Sequence, residues 1–136
     1  MLRAETRARA RALQMLYAWD LRGRPDMAAV SHRMPKDGLG LRQRAQAAKL
    51  AEAVANDVGE LDKDIAEAAD NWRFERIGVV ERNILRLGLF ELLNLDLPAP
   101  VAIDEAVKLA HWFAGAKAPG FVNGVLDSLA RRLGRL

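Results

Sequence analysis

An excess of helix-forming over β-branched residues is the feature that most constrains the fold of this chain. Ala and Leu supply 44 of its 136 residues, whereas Val and Ile supply only 13. Ala and Leu favour helices, and strands are usually rich in Val and Ile. The sequence therefore predicts an all-α fold, and its length suits one domain.

Apolar residues recur at helical spacing along most of the chain. Between the first two such stretches, residues 22–41 contain Gly and Pro breakers and predict at most one short helical turn, capped by Asp26. The second stretch predicts one long amphipathic helix with a bend allowed at Gly59. In the fourth stretch, Asp104 and Glu105 suit a position in an early turn of the predicted helix. The predicted helices span about residues 2–21, 42–70, 79–95, 98–115 and 119–133.

The residues needed for catalysis or metal binding are scarce. The chain has no Cys, and its only histidines, His32 and His111, are far apart in sequence. No Gly-rich phosphate loop is present. Asp62 and Asp64 point in different directions on a helix and are interpreted as a solvated face. We therefore expect no enzymatic activity, no metal and no cofactor.

Other conspicuous residues are interpreted structurally. Arg82 and Arg86 lie one turn apart on an otherwise apolar helix and are expected to donate to acids there or on neighbouring helices. The three tryptophans are expected in the core or at its edge. They are Trp19, Trp72 and Trp112.

The chain is expected to be cytoplasmic. No run approaches the roughly 18 apolar residues of a membrane span, and residues 1–13 carry charge where a signal peptide would need an apolar stretch.

Positive charge is concentrated near the start of the chain. Residues 1–24 carry six Arg against Glu5 and Asp20, a net charge of +4, whereas basic and acidic residues nearly balance over the rest of the chain, at 15 against 16. Projected at 100° per residue, the first helix places Ala10, Leu13, Leu16 and Tyr17 on an apolar face. A separate polar face carries Arg3, Arg7, Arg11 and Gln14.

This first helix is the strongest candidate for a binding function. Arginines can neutralise RNA phosphates, while a glutamine and a tyrosine supply hydrogen bonds and a stacking ring. A solubilising helix face explains the same pattern, and composition does not decide between the two. The candidate RNA-binding residues on this helix are Arg3, Arg7, Arg9, Arg11, Gln14 and Tyr17.

Four stretches together resemble the NusB transcription antitermination family. They are RARARALQMLYAWD at 7–20, NWRFERIGVVERNILRLGLFEL at 71–92, VAIDEAVKLAHWF at 101–113 and GFVNGVLD at 120–127. The resemblance implies a compact all-α bundle of about six or seven helices in two packed subdomains, about 1–70 and 71–136, forming a single RNA-binding domain. It implies binding of boxA RNA from ribosomal RNA transcripts, a heterodimer with the ribosomal protein NusE, and assembly with RNA polymerase and other Nus factors.

The resemblance also assigns individual residues. It places the family's arginine motif on Arg7 and Arg9. Asn123 remains open between an RNA contact and a structural hydrogen bond, with structure favoured, and Gly124 interrupts a predicted helix at a cost of about 1 kcal/mol. The other matched positions are Gln14, Tyr17, Glu81, Phe121 and Val122. The resemblance adds Glu81, Phe121 and Asn123 to the candidate RNA-binding residues.

Two other functions are compatible with the sequence. A similar helical domain precedes some ribosomal RNA cytosine methyltransferases, so the chain could be a stand-alone relative of that RNA-binding domain, without a nucleotide-binding half. A purely structural helical adaptor would require an inert basic stripe. Whether the free protein forms a homodimer through its basic face is also open.

Overall fold

The fold is all-α, as the composition predicts. The computed structural model describes residues 3–36, 38–70 and 72–136. Within these residues it contains seven α-helices, one short 3-10 helix at Phe74–Arg76 and no strand. The α-helices are α1 (Ala4–Leu21), α2 (Met27–Arg33), α3 (Leu41–Asn56), α4 (Val58–Ala68), α5 (Val79–Leu92), α6 (Ala99–Phe113) and α7 (Ala118–Arg132).

Several predicted boundaries need correction. The predicted start of the first helix at Leu2 lies outside the described residues. The long helix predicted over 42–70 is wrong, because the chain forms two helices that break at Asp57 rather than bending at Gly59. The connection 22–41 contains a full helix, α2, and its N-cap residue Asp26 makes no side-chain capping hydrogen bond.

The chain divides into two units, one ending at Asn56 and the other beginning at Asp57. In the first unit, α1 packs against α3 and α2, and α2 also packs against α3. Both α1 and α3 contribute fully buried alanines, among them Ala12, Ala47 and Ala51. Such small side chains allow helix axes to approach closely, so α1 is held firmly along one side.

In the second unit α5 packs against α4, α6 and α7. The apolar character of α5 on nearly all sides is typical of a helix surrounded by others. Gly88 marks its closest approach, because a Cβ there would lie 2.7 Å from Leu126 Cδ1 and 3.3 Å from the Ala106 methyl group. A side chain at this position would force the end of the buried Leu126 side chain to shift, so the packing of α5 against α7 depends on glycine here.

Two arginines make polar contacts that link elements of the second unit. Arg86 of α5 pairs with Asp62 of α4, which confirms the ion-pair interpretation of Arg86 and shows that Asp62 is not simply part of a solvated face. Near the C-terminus, Arg135 donates to the carbonyls of Leu92, at the end of α5, and Leu97, in the connection that follows. The arginine thereby satisfies a carbonyl that the end of a helix leaves without an intrahelical donor.

The predicted positions of several side chains differ from those observed. Trp19 is buried, as expected, whereas Trp72 and Trp112 are 58% and 43% exposed and therefore do not lie in the core. Asp104 and Glu105 lie beyond the first turn of α6, and Asp104 pairs with Lys108 instead of serving the helix N-terminus.

None of the described helices is long and apolar enough to span a membrane.

Candidate nucleic-acid interface

One face of α1 stays at least partly exposed along the whole helix. At 100° per residue its members fall within a sector of about 80°, and the side chains of Arg3, Arg7 and Tyr17 are exposed while Gln14 is half-buried. Tyr17, placed on the apolar face from sequence, therefore lies beside the polar candidates. We call this surface the α1 face, and its residues are Arg3, Arg7, Ala10, Gln14, Tyr17 and Leu21.

Arg7 extends from the α1 face toward the connection between α2 and α3. Its Nη2 atom lies 3.8 Å from the position that a Cβ on Gly38 would occupy. The guanidinium is therefore placed beside the main chain of this connection, and it remains exposed. An arginine positioned in this way loses less side-chain entropy on meeting a phosphate than one that moves freely.

Arg11 does not belong to the exposed face, contrary to the sequence-based assignment. Its residue is only 4% exposed, and its Nη1 donates to the Pro35 carbonyl at 2.5 Å. The helical projection groups residues by direction but does not show which directions other helices cover. Arg9 is half-buried and also lies outside the sector of the α1 face. Of the four predicted arginines, Arg3 and Arg7 are thus the exposed pair.

A cleft of about 230 Å³ in the second unit brings together two other predicted site residues, Glu81 and Phe121. Trp72 meets Phe121 edge-to-face, with ring centroids 5.2 Å apart and an interplanar angle of 64°. Arg76 and Lys117 add two exposed cations to the same cleft. An aromatic wall with cations around it can stack a nucleobase while neutralising the adjoining phosphates.

Glu81 lies in the first turn of α5, where an acidic side chain interacts favourably with the helix dipole. Its carboxylate folds back over Gly78, the N-cap residue, so closely that a Cβ at position 78 would overlap it. This position leaves the carboxylate at the wall of the cleft, where its oxygens can accept hydrogen bonds from a bound base.

Asn123 is exposed on α7 and does not line the cleft. Among the described residues it has no hydrogen-bond partner, and a Cβ on its neighbour Gly124 would meet no atom within 4 Å. The helix-propensity cost of Gly124 is therefore not explained by close packing within the part of the chain that the structure describes.

The two units carry opposite net charge. The sequence Met1–Asn56 contains eleven Lys and Arg against five Asp and Glu, a net charge of +6, whereas Asp57–Leu136 contains ten against thirteen, a net charge of −3. From sequence, the excess positive charge was assigned to residues 1–24 alone, whose net charge is +4. The unit that contains the α1 face gains a further +2 from residues 25–56.

Three residues of the cleft were missed from sequence: Trp72, Arg76 and Lys117. The available signal was the segment Trp72-Arg73-Phe74-Glu75-Arg76, where aromatic and basic residues alternate in a stretch with little helical periodicity. Such interleaving is typical of nucleic-acid-binding surfaces. The sequence alone does not place these aromatics on the surface, because isolated aromatics are more often buried than exposed.

Comparison with known families accounts for most of the chain. The model of the NusB family matches residues 6–131. The chain belongs to the NusB family. Among curated relatives, the transcription antitermination protein NusB of Sorangium cellulosum is 42% identical, with 98% of this chain and 96% of the relative covered. The NusB of Solibacter usitatus is 39% identical, with 93% and 88% covered.

Solved structures of this family have the same fold. NusB from T. maritima superposes with a TM-score of 0.85 at 26% identity, covering 96% of this chain and 93% of that one. A crystal structure of the antitermination factors NusB and NusE in complex with dsRNA contains a chain that superposes with a TM-score of 0.81 at 32% identity, covering 97% of this chain and 99% of the other. The NusB fold predicted from the four sequence stretches is confirmed.

Proposed function

We propose that this protein is a transcription antitermination factor that binds the boxA element of ribosomal RNA transcripts as a heterodimer with NusE, and that it catalyses no reaction. Its curated relatives are named as transcription antitermination proteins. A structural neighbour is described as part of a NusB–NusE complex with RNA. In the cell, the heterodimer on RNA would assemble with RNA polymerase and other Nus factors.

The observation that carries the RNA-binding proposal is the α1 face. It presents two exposed arginines, Arg3 and Arg7, with Gln14 and Tyr17 following on the same side of one rigid helix. The cations supply affinity that does not depend on sequence, and the amide and phenol can contact bases. A merely solubilising face would not need an arginine placed against the α2–α3 connection, as Arg7 is.

The cleft of the second unit offers another candidate surface for RNA. Trp72 and Phe121 offer ring surface to an unstacked base, and Arg76 and Lys117 offer charge to its phosphates. We assign Asn123 and Gly124 to a contact with RNA or NusE. Both are exposed, and neither packs against or bonds to the described residues in a way that explains its presence in α7. In this proposal both units act as one RNA-binding domain, with Arg11 supporting the α2–α3 connection and Arg9 contributing charge.

The location on α1 is tested by the salt dependence of RNA binding. We expect Arg3→Gln with Arg7→Gln to reduce the slope of log K against log salt by about 1.4, since each phosphate contact with single-stranded RNA contributes about 0.7. The matched control is Arg22→Gln with Arg24→Gln, which removes two arginines beyond the end of the helix. If both double variants keep the wild-type slope, RNA does not bind at the α1 face.

A further inference from the structure

A second set of basic and amide side chains lies on α3, outside the residues that the sequence pattern marks for RNA binding. Arg42, Gln46 and Lys49 follow one another at i, i+4 and i, i+3 spacings, which places them on one side of the helix. Together with Gln43 and Ala45 they line a polar cleft of about 450 Å³, whose other wall is formed by Ala4 and Glu5 at the start of α1. We call this the α1–α3 cleft.

We propose that the α1–α3 cleft is a further RNA-binding site, in which Arg42 and Lys49 hold phosphates of the same strand that contacts the α1 face. The inference rests on the proposed RNA-binding function. Within the first unit it extends the RNA-binding surface from one helix to two. It also assigns a role to cations outside residues 1–24, the segment to which the sequence had assigned the excess positive charge.

The chemistry of the lining favours a phosphodiester backbone. Both cations are exposed, and among the described residues neither has an ion pair or hydrogen bond. The two glutamines between them can donate to phosphate or ribose oxygens. Among the described residues no large apolar side chain lines the cleft, so this lining is poorly suited to the hydrophobic anchors that dominate protein–protein interfaces.

The cleft opens beside the start of the α1 face, on a different side of α1. Ala4, on its wall, directly follows Arg3, the first arginine of that face. The α1 and α3 helices pack against each other within one unit, so the two surfaces hold a fixed relation. Arg42 and Lys49 lie two helical turns apart, about 10 Å along the helix axis, and can therefore meet different phosphates.

Glu5 allows RNA binding in the α1–α3 cleft to be distinguished from a general electrostatic attraction of RNA to the basic first unit. Among the described lining residues it is the one acid, it is exposed, and it pairs with no described residue. A phosphate entering the cleft is repelled by its carboxylate. Removing that charge is expected to strengthen RNA binding, whereas Asp26→Asn, which removes an exposed acid beyond the opposite end of α1, is expected to have little effect.

The test compares charge-removing variants of the full chain, titrated with a short single-stranded boxA RNA at several salt concentrations, alone and with saturating NusE. Arg42→Gln with Lys49→Gln is expected to lower the slope of log K against log salt by about 1.4. Its affinity deficit relative to the wild type should then shrink about sevenfold between roughly 50 and 200 mM salt. Arg22→Gln with Lys36→Gln is the matched control, since it removes one Arg and one Lys from exposed positions of the same unit.

The outcomes separate this inference from the proposed function. A lower slope for the cleft variant but not for its matched control, with tighter binding by Glu5→Gln and unchanged binding by Asp26→Asn, supports the cleft site. If the cleft variant matches its control while Arg3→Gln with Arg7→Gln weakens binding, the cleft inference is overturned and the α1 face stands. If no variant differs from the controls, or the wild-type chain with NusE does not bind RNA, both are overturned.

Discussion

Arg86 and Asp62 form a two-pronged ion pair that ties α5 to α4. The Nε atom of Arg86 lies 2.6 Å from Asp62 Oδ1, and Nη2 lies 2.7 Å from Oδ2. The remaining Nη1 donates to Asn83 Oδ1 at 2.9 Å, and the guanidinium stands 5.7 Å from the Phe74 ring centroid. A charge that is only 1% exposed is thus satisfied on several sides.

Removing the acid from this pair should destabilise the protein strongly. Asp62→Ala leaves the buried Arg86 guanidinium without its anionic partner, and such losses cost about 3–5 kcal/mol. The partial exposure of Asp62, 22% of its side chain, favours the lower end of that range. Asp64→Ala is the control, because Asp64 has no partner among the described residues and should change the free energy of unfolding by less than about 0.5 kcal/mol. Urea unfolding of both variants measures the difference, and equal values would mean that the pair does not fasten α4 to α5.

Arg11 should be needed for stability rather than for phosphate contact. Arg11→Met removes the hydrogen bond to the Pro35 carbonyl, and bonds that involve a charged group contribute about 1.5–3 kcal/mol. The exposed Arg3 provides the comparison, since Arg3→Met should leave the unfolding free energy nearly unchanged but lower the salt slope of RNA binding by about 0.7. An Arg11→Met protein of wild-type stability with a reduced salt slope would return Arg11 to the set of RNA contacts.

Trp72 should contribute to RNA binding with little contribution to folding. Its side chain is largely exposed and touches Phe121 by an edge, so Trp72→Ala is expected to weaken RNA binding by the roughly 1–3 kcal/mol of one stacked base, about five- to 150-fold. Trp112→Ala removes another exposed tryptophan that lies outside the cleft. Fluorescence or anisotropy titrations compare the two, and similar losses in both would indicate a nonspecific effect of removing an aromatic residue.

Asn123 and Gly124 should be dispensable for stability. Asn123→Ala and Gly124→Ala both replace an exposed residue of α7 by a stronger helix former, so thermal unfolding should occur at the same or a slightly higher temperature. We expect both variants to bind RNA or NusE less tightly. A lowered melting temperature for Asn123→Ala would instead support the structural role that the sequence favoured.

The sequence predicted the helices and the family but not the surroundings of individual side chains. Helical periodicity depends on residue order alone, and it located α1, α5, α6 and α7 to within a few residues. The break at Asp57 was missed because the apolar spacing continues across it, from Val54 to Leu61. The single residue between α3 and α4 does not interrupt that spacing.

In the candidate site, too, the sequence predicted which residues share a helix face but not which of them other elements cover. Arg3, Arg7, Gln14 and Tyr17 do share one face of α1. Arg11 does not, because its exposure depends on where α2 and its following loop pack, which the pattern of α1 does not contain. Likewise, Glu81 and Phe121 are distant in sequence and meet in one cleft only because α5 and α7 pack together.

The dependence of RNA binding on NusE tests the central claim most directly. Titrating boxA RNA into this protein with and without saturating NusE, and NusE into it with and without RNA, gives four affinities. We predict that NusE tightens RNA binding by about five- to 150-fold, equivalent to roughly 1–3 kcal/mol, and that RNA tightens NusE binding by the same factor, as linkage requires. A scrambled RNA should show a smaller gain. Equal RNA affinities with and without NusE would contradict the account.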